Sequence, residues 1–209
     1  GNEDGMYFCQ LYDITRKGNF EGRNIPNLIN KDISPELIRK YDAAREKLFK
    51  EREKRIHPFK DDKILTSWNG LMIAAMAMAG RILNNGRYTL AAVRAADFIQ
   101  NNLVRADGRL LSSYREGKAD IPAYSEDYAF YIIGLIELYE TTYEAIYLKK
   151  ALTLTDDLIR LFWDDKNGGL FIYGTDSEQL ITRPKTIYDG AIPSGNSVAA
   201  LDMIKLSRL

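Results

Sequence analysis

Apolar residues recur every three to four positions in about six segments of the chain, which is the period of an α-helix. The segments 68–83 and 127–141 are apolar nearly all round, and a third of this kind begins at Asn196. Helices with this pattern are enclosed by other elements on most sides. Three further segments have one apolar face and one charged face, which predicts half-exposed helices. They span about 34–55, 87–104 and 147–162.

The connections after the half-exposed helices are also alike. Residues 107–114 and 165–173 each contain a glycine turn followed by apolar and aromatic residues, a pattern that predicts a short β-hairpin. Near the start of the chain, residues 6–14 are rich in strand formers and predict an extended segment. The repeating unit is therefore an enclosed helix, a half-exposed helix, a hairpin and a polar loop.

This repetition predicts how the units assemble. A recurring supersecondary unit stacks on its neighbours, because one unit alone cannot bury its apolar face. Enclosed helices then form an inner layer, and half-exposed helices form an outer one. We therefore predict a mainly α fold, a partial α/α toroid with short β-hairpins between helix pairs, and a single domain over residues 1–209.

Three polar, glycine-marked segments each precede an enclosed helix. They are 61–71, 122–128 and 189–197. If the unit repeats around a ring, these segments gather at one rim, because every enclosed helix then begins on the same side. The sequence therefore predicts a candidate site at that rim.

The rim segments carry carboxylates, amides and aromatic rings, a combination that suits a sugar. Two carboxylates that flank a glycosidic bond can act as acid and as base or nucleophile, and one of them needs a raised pKa. The catalytic candidates are Asp61, Asp62, Glu126 and Asp127, of which Glu126 with Asp61 or Asp62 is the best pair. The candidates for binding substrate are Lys63, Trp68, Asn69, Tyr124, Tyr128, Arg183, Asp189, Ser194 and Asn196.

The same residues also have a structural interpretation. Asp127 and Asn196 stand where helix N-caps stand, and a capping carboxylate or amide is common there. Trp68 suits a core position, and residues 193–196 suit a turn. The function of the rim therefore depends on which side chains are left free by the fold.

Charge and cysteine content exclude several classes of function. The 29 basic and 29 acidic residues give no net attraction to nucleic acid or to an anionic membrane. Cys9 is the only cysteine, so an internal disulfide and a thiolate metal cluster are excluded, and we expect a reducing, cytoplasmic location. No apolar run reaches the ~18 residues that span a bilayer, and no secretory signal is visible. No phosphate-loop, dinucleotide or zinc-protease motif occurs, and we expect neither a metal nor a cofactor.

Three motifs in this order resemble a known family: 61–73, 126–130 with 135–140, and 189–197. The family carries an N-terminal thioredoxin-like domain and includes spermatogenesis-associated protein 20 and many bacterial relatives. The resemblance implies a six-hairpin toroid, similar to N-acylglucosamine 2-epimerases and many glycosidases. It also implies that this chain is about half of the ring, excised from a longer protein whose thioredoxin-like domain is absent here.

Three hypotheses about function remain open, and the sequence does not decide whether the chain is an enzyme. The first is a carbohydrate-interacting toroid domain, with glycoside hydrolase-like processing of a saccharide by the rim carboxylates. The second is a non-catalytic scaffold for the thioredoxin-like partner domain. The third is a sugar 2-epimerase or isomerase active only in the full-length protein, because epimerases of this fold use paired histidines and this chain has only His57.

Half of a ring also has a consequence for assembly. Its two ends expose apolar helix faces that are larger than an ordinary surface patch. We therefore expect the chain to self-associate.

Overall fold

The computed structural model describes residues 2–29, 31, 33–178 and 181–209. The chain divides into two compact units, which comprise residues 1–60 and 61–209. The single domain expected over residues 1–209 stays a prediction. Among the described residues, no helix combines the length and the hydropathy that a bilayer crossing requires.

The described part of the first unit, residues 2–29, 31 and 33–60, contains three helices: α1 (Asn2–Leu11), α2 (Pro35–Lys40) and α3 (Asp42–Glu53). The prediction of an extended segment at 6–14 is wrong, because α1 runs through most of it. Phe8, Leu11 and Tyr12 stand at helical spacing and form a small buried cluster with Tyr41. Tertiary packing of this face outweighs the strand propensity of the local sequence.

The half-exposed helix expected at about 34–55 is broken into two. Ser34 caps α2 as its sequence suggests, since its hydroxyl accepts the amide of Leu37 at 3.2 Å, and Pro35 occupies the first turn. The break comes at Tyr41, whose backbone leaves helical geometry with φ −103° and ψ 6° and whose amide bonds the carbonyl of Ile38 at 3.1 Å. The ring of Tyr41 is buried against Phe8, with centroids 5.9 Å apart.

Over residues 61–178 and 181–209, the second unit contains five helices and a two-stranded antiparallel sheet. In chain order these are β1 (Ile64–Leu65), α4 (Thr66–Ile82), α5 (Gly86–Asn102), β2 (Ser113–Tyr114), α6 (Ser125–Thr142), α7 (Ala145–Phe162) and α8 (Gly195–Leu206). Helices α4, α6 and α8 form a row with α6 in the middle, while α5 packs on α4 and α7 packs on α6. The row is the inner layer that the apolar pattern predicts, and α5 and α7 are the outer layer.

The three inner helices run parallel. At one end, the start of α4 bonds the start of α6 through Ser67 and Asp127. At the other end, Glu137 of α6 pairs with Arg81 of α4 at 3.0 Å and with Lys205 of α8 at 2.8 Å. All three helices therefore begin on the same side of the unit.

Glycines allow α4 and α6 to approach closely. A Cβ atom at Gly70 would overlap the carbonyl group of Phe130, and one at Gly134 would lie 2.9 Å from the carbonyl oxygen of Gly70. Helix α6 is buried along nearly its whole length, as predicted. Helix α4 is not enclosed as predicted, because it stands at the edge of the row and leaves Trp68, Met72 and other apolar residues exposed.

The predicted hairpins are present as tight turns closed by single bridges. Val104 bridges Leu110 around Gly108, and Trp163 bridges Leu170 around Gly168 and Gly169. All three glycines have positive φ, a conformation that costs glycine little. The two-stranded sheet pairs residues from different connections, since β1 precedes α4 and β2 follows α5.

Candidate functional site

The parallel inner helices bring the starts of α6 and α8 into contact. A Cβ atom at Gly195 would lie 3.0 Å from the Cα atom and 3.1 Å from the backbone nitrogen of Glu126. No larger residue fits at that approach without a shift of backbone. The glycine of the third rim segment therefore sets how closely the two helix ends meet.

A cavity of about 300 Å³ opens beside this contact. Its walls are the first turns of α6 and α8 and the segment that connects α7 to α8. The lining residues are Tyr124, Ser125, Glu126, Ile172, Tyr173, Thr186, Gly195 and Asn196. The cavity thus joins two of the three rim segments that the sequence singles out.

Two aromatic rings and one carboxylate characterise the cavity. The rings of Tyr124 and Tyr173 meet edge to face, with centroids 5.6 Å apart and planes at 75°. Glu126 is half-buried, and within the described residues its carboxylate has neither a hydrogen bond nor an ion pair. It is therefore available to a ligand.

The amide of Asn196 holds the cavity wall in place. Its Oδ1 atom accepts the backbone amide of Leu170 at 2.7 Å, and its Nδ2 atom donates to the carbonyls of Leu170 at 2.9 Å and Thr186 at 3.0 Å. The backbone amide of Ser125 donates to the carbonyl of Ile172 at 3.1 Å. These bonds fix the connecting segment to the first turns of both helices.

Two basic residues of the same segment are engaged elsewhere. Arg183 donates to the carbonyl of Tyr173 at 2.9 Å and lies over the ring of Phe171, 4.1 Å from its centroid. Lys185 contacts the carboxylate of Asp164 at 2.6 Å. The hydrogen bond from Lys185 is the largest of the causes that hold the pKa of Asp164 far below its usual range. Neither basic residue lines the cavity.

Asp127 is a capping residue in this structure. Its buried carboxylate accepts the backbone amides of Ser67 at 3.0 Å and of Tyr124 at 2.9 Å. Burial is the main cause that raises its pKa to about 6, the charge of Glu126 adds to the rise, and hydrogen bonds from Tyr124, Ser112 and Ser67 oppose it. The carboxylate is directed at two helix ends, and it does not line the cavity.

The first rim segment lies apart from the cavity lining. Asp61 forms an ion pair with Lys63 at 3.3 Å, and Asp62 forms one with Arg115 at 2.8 Å. All four side chains are at least partly exposed to solvent. The backbone amide of Lys63 is the first cause that lowers the pKa of Asp61. Asn69 donates to the carbonyl of Leu65, the residue that directly precedes its helix. The structure therefore does not bring these carboxylates together with Glu126 in the cavity.

The remaining candidates support the fold around the site. The buried hydroxyl of Tyr128 bonds the guanidinium of Arg109 at 3.0 Å. Ser194 caps α8, since its hydroxyl accepts the amide of Ser197 at 3.2 Å. Asp189 accepts hydrogen bonds from the backbone amide of Ser194 at 2.8 Å and from the hydroxyl of Ser197 at 3.0 Å. The hydrogen bond from the Ser194 amide is the largest cause that lowers the pKa of Asp189.

Of the predicted site residues, Tyr124, Glu126 and Asn196 line the cavity. Sequence reasoning missed Ile172, Tyr173 and Thr186, which reach the cavity only through the path of the connecting segment. Tyr173 carried a usable signal, because it ends the aromatic run of the second predicted hairpin. Within 2–29, 31, 33–178 and 181–209, no group of three or more His, Cys, Asp or Glu side chains is placed to hold a metal ion.

Comparison with solved structures defines the class of fold. Cellobiose 2-epimerase from Bacillus thermoamylovorans superposes with a TM-score of 0.58 at 17% identity, over 73% of this chain and 41% of the epimerase chain. A family 105 glycoside hydrolase from C. acetobutylicum superposes with a TM-score of 0.56 at 13% identity, over 81% of this chain and 52% of that chain. The fold is that of the α/α toroids, as predicted.

Sequence comparison gives the relationship of this particular chain. No protein-family model matches it. Human spermatogenesis-associated protein 20 is 37% identical over 175 residues, which are 79% of this chain and 22% of the human protein. The chain is thus a homologue of one region of spermatogenesis-associated protein 20, as the rim motifs predicted, and it spans about a fifth of the length of that relative.

Proposed function

We propose that this region binds a saccharide in the cavity between the first turns of α6 and α8. The observation that carries the proposal is the meeting of Tyr124, Tyr173 and the free carboxylate of Glu126 in one concave site. Aromatic rings cover the apolar face of a pyranose, and a carboxylate accepts hydrogen bonds from neighbouring hydroxyls. Specific pockets combine these two kinds of surface.

The size and lining of the cavity suit about one sugar ring. Its volume of about 300 Å³ lies at the low end of the range for small-molecule sites. Ser125 and Thr186 add hydroxyl groups to the lining. The structural neighbours include a cellobiose 2-epimerase and a glycoside hydrolase, and their names support a saccharide as the ligand class to test first.

Binding and positioning, and not complete hydrolysis, are the roles that the chain's own residues support. A glycosidase needs two carboxyl groups on either side of the scissile bond, roughly 5–10 Å apart. Among the described residues that line the cavity, Glu126 is the one carboxylate. Asp127 caps two helices, and Asp61 and Asp62 are ion-paired outside the cavity lining.

A non-catalytic scaffold is the second candidate, and one observation favours it. Several rim side chains are already hydrogen-bonded to the protein itself, including those of Asp127, Tyr128, Ser194 and Asn196. In this alternative the rim positions the rest of the full-length chain, with the thioredoxin-like domain as the expected partner. Epimerase activity would need histidines from outside this chain, because His57 is its only one.

Titration of the protein with neutral monosaccharides and disaccharides, followed by NMR of the ligand and by calorimetry, tests the proposal. We expect millimolar to micromolar binding that Tyr173→Ala weakens at least about tenfold, which corresponds to about 1.4 kcal/mol. Tyr143→Ala is the matched control, because Tyr143 is exposed and does not line the cavity. If no saccharide binds and Tyr173→Ala changes nothing measurable, the scaffold interpretation replaces the proposal.

A further inference from the structure

The charge of the cavity comes from one side chain. Glu126 is the one Asp, Glu, Lys or Arg among the described residues that line it. The other polar side chains of the lining are hydroxyls and an amide, which are neutral at physiological pH. The cavity wall therefore presents one negative charge to a ligand.

Two basic residues of the connecting segment, Arg183 and Lys185, do not line the cavity. Arg183 bonds the carbonyl of Tyr173 and stacks on Phe171. Lys185 bonds the carboxylate of Asp164 at 2.6 Å and the carbonyl of Gly168 at 2.5 Å. Both cations are held by partners within the connecting segment and its preceding turn.

The positive N-terminal ends of α6 and α8 are also close to acidic side chains of the protein itself. The first turn of α6 contains both Glu126 and Asp127, and the start of α8 is bonded by the carboxylate of Asp189. Acidic groups placed there counter the helix dipole. The backbone amide of Ser125 is likewise used, since it donates to Ile172.

We infer that the cavity selects saccharides by charge, with an amino sugar bound more tightly than a neutral sugar and a neutral sugar more tightly than a uronic acid. The inference rests on the proposed saccharide site and assigns Glu126 as its specificity-determining residue. An ammonium group pairs with the carboxylate of Glu126 and gains further from the faces of Tyr124 and Tyr173. A sugar carboxylate meets a like charge with no free cation on the lining to pair it.

The test compares three ligands of one size: D-glucosamine, D-glucose and D-glucuronate. Binding is measured by calorimetry at about pH 6, where the amine is protonated and the uronic acid is ionised. We expect D-glucosamine to bind at least about tenfold more tightly than D-glucuronate, with D-glucose between them. A higher salt concentration should reduce the differences in affinity among the three sugars, because solvent partly screens the interaction between the sugar's charge and Glu126.

Variants of Glu126 assign the effect to this residue. Glu126→Gln should bring the three affinities within about threefold, and Glu126→Lys should reverse the order. Glu116→Gln is the control, because Glu116 is an exposed carboxylate of a turn and does not line the cavity. Circular dichroism of each variant confirms that it is folded.

Each result has one meaning. If the three sugars bind the unchanged protein with equal affinity, or if Glu126→Gln keeps the full spread, charge selection is wrong while the saccharide site stands. Tighter binding of D-glucuronate than of D-glucose overturns the inference in the same way. If none of the three binds, the proposed function fails and the inference fails with it.

Discussion

The carboxylate of Asp127 accepts a hydrogen bond from the backbone amide of Ser67 at 3.0 Å, across 60 positions of the sequence. Its second oxygen accepts the amide of Tyr124 at the start of its own helix, at 2.9 Å. One buried side chain therefore satisfies amide donors at the starts of two parallel inner helices. This bond aligns α4 with α6, and α6 in turn carries Tyr124 and Glu126 to the cavity.

Replacing Asp127 should weaken the whole second unit. We expect Asp127→Ala to lower the free energy of unfolding by about 2–4 kcal/mol, because a cap contributes about 1 kcal/mol and each buried amide left without a partner costs about 1–3 kcal/mol. Urea unfolding followed by circular dichroism measures the change. Asp165→Ala is the control, since Asp165 is exposed and should shift stability by less than about 0.5 kcal/mol. Equal losses in the two variants would contradict the capping role.

The contact between α4 and α6 predicts opposite effects at two glycines. Gly70→Ala should destabilise by at least about 1–3 kcal/mol, because the added methyl group overlaps the backbone of Phe130. Gly86→Ala should instead stabilise by roughly 0.5–1 kcal/mol, since it lies in α5 with open space around it and alanine costs less entropy in a helix. Thermal unfolding of the two variants compares them directly. A Gly70→Ala variant that is as stable as the unchanged protein, or more stable, would show that α4 and α6 are not packed this closely.

Asp202 predicts how stability depends on pH. It is 1% exposed, and neither carboxyl oxygen has a hydrogen-bond partner among the described residues. Burial raises its pKa from the usual 3.8 to about 8, and Lys205 opposes the rise. The folded state therefore holds a proton that the unfolded state releases. This contribution to stability is complete below about pH 4 and is lost as pH rises through 8, at up to about 1.4 kcal/mol per pH unit.

Asp202→Asn isolates that contribution, because the amide has the same shape and no charge. The variant should match the unchanged protein near pH 4 and become steadily the more stable of the two as pH rises from about 4 to about 8. Asp127 acts in the same direction over a narrower window, since its pKa is raised only to about 6. Because both proteins contain Asp127, its contribution cancels, and the difference between the two curves should grow up to about pH 8 and then level off. Urea titrations at several pH values record it, and parallel curves would rule out a buried proton at Asp202.

The exposed face of α4 predicts self-association. Trp68, Met72 and Ile82 are 62%, 54% and 70% exposed and lie on one side of the helix. A contiguous apolar patch of this kind favours contact with a second copy of the chain. Light scattering should show a mass that grows with concentration, and the double substitution Met72→Gln with Ile82→Gln should reduce it. Ile159→Gln on α7, where the side chain is also exposed, is the control, and a mass that stays at 23.8 kDa at high concentration would refute the expectation.

Helical period predicted the layers well, and its failures have identifiable causes. Helices α4 to α7 begin and end within a few residues of their predicted bounds, and α8 begins one residue before the predicted Asn196, because apolar spacing reports directly which side of a helix is buried. The prediction of an extended segment at residues 6–14 was wrong because Tyr7 and Phe8 favour strands locally, whereas Phe8, Leu11 and Tyr12 pack together at helical spacing. Exposed apolar faces were expected at the ends of a half ring, but the apolar pattern of α4 alone does not show that α4 is one of those ends.

The candidate site could be predicted only in part. Tyr124, Glu126 and Asn196 were found because they lie beside helix starts, which the apolar pattern marks. Tyr173 and Thr186 were missed because their place depends on bonds that span 26 and 10 positions, from Asn196 to Leu170 and to Thr186. Spacing in sequence does not reveal such contacts.

The bonds that join one inner helix to the next have a consequence for the kinetics of folding. They connect residues 56 to 68 positions apart, as in Arg81 with Glu137 and Glu137 with Lys205. The loop between Ser67 and Asp127 contains the complete hairpin of α4 and α5, and closing that loop costs less entropy once the hairpin has formed. The wall of the toroid should therefore grow one hairpin at a time, and its assembly rate should be set by docking of preformed hairpins.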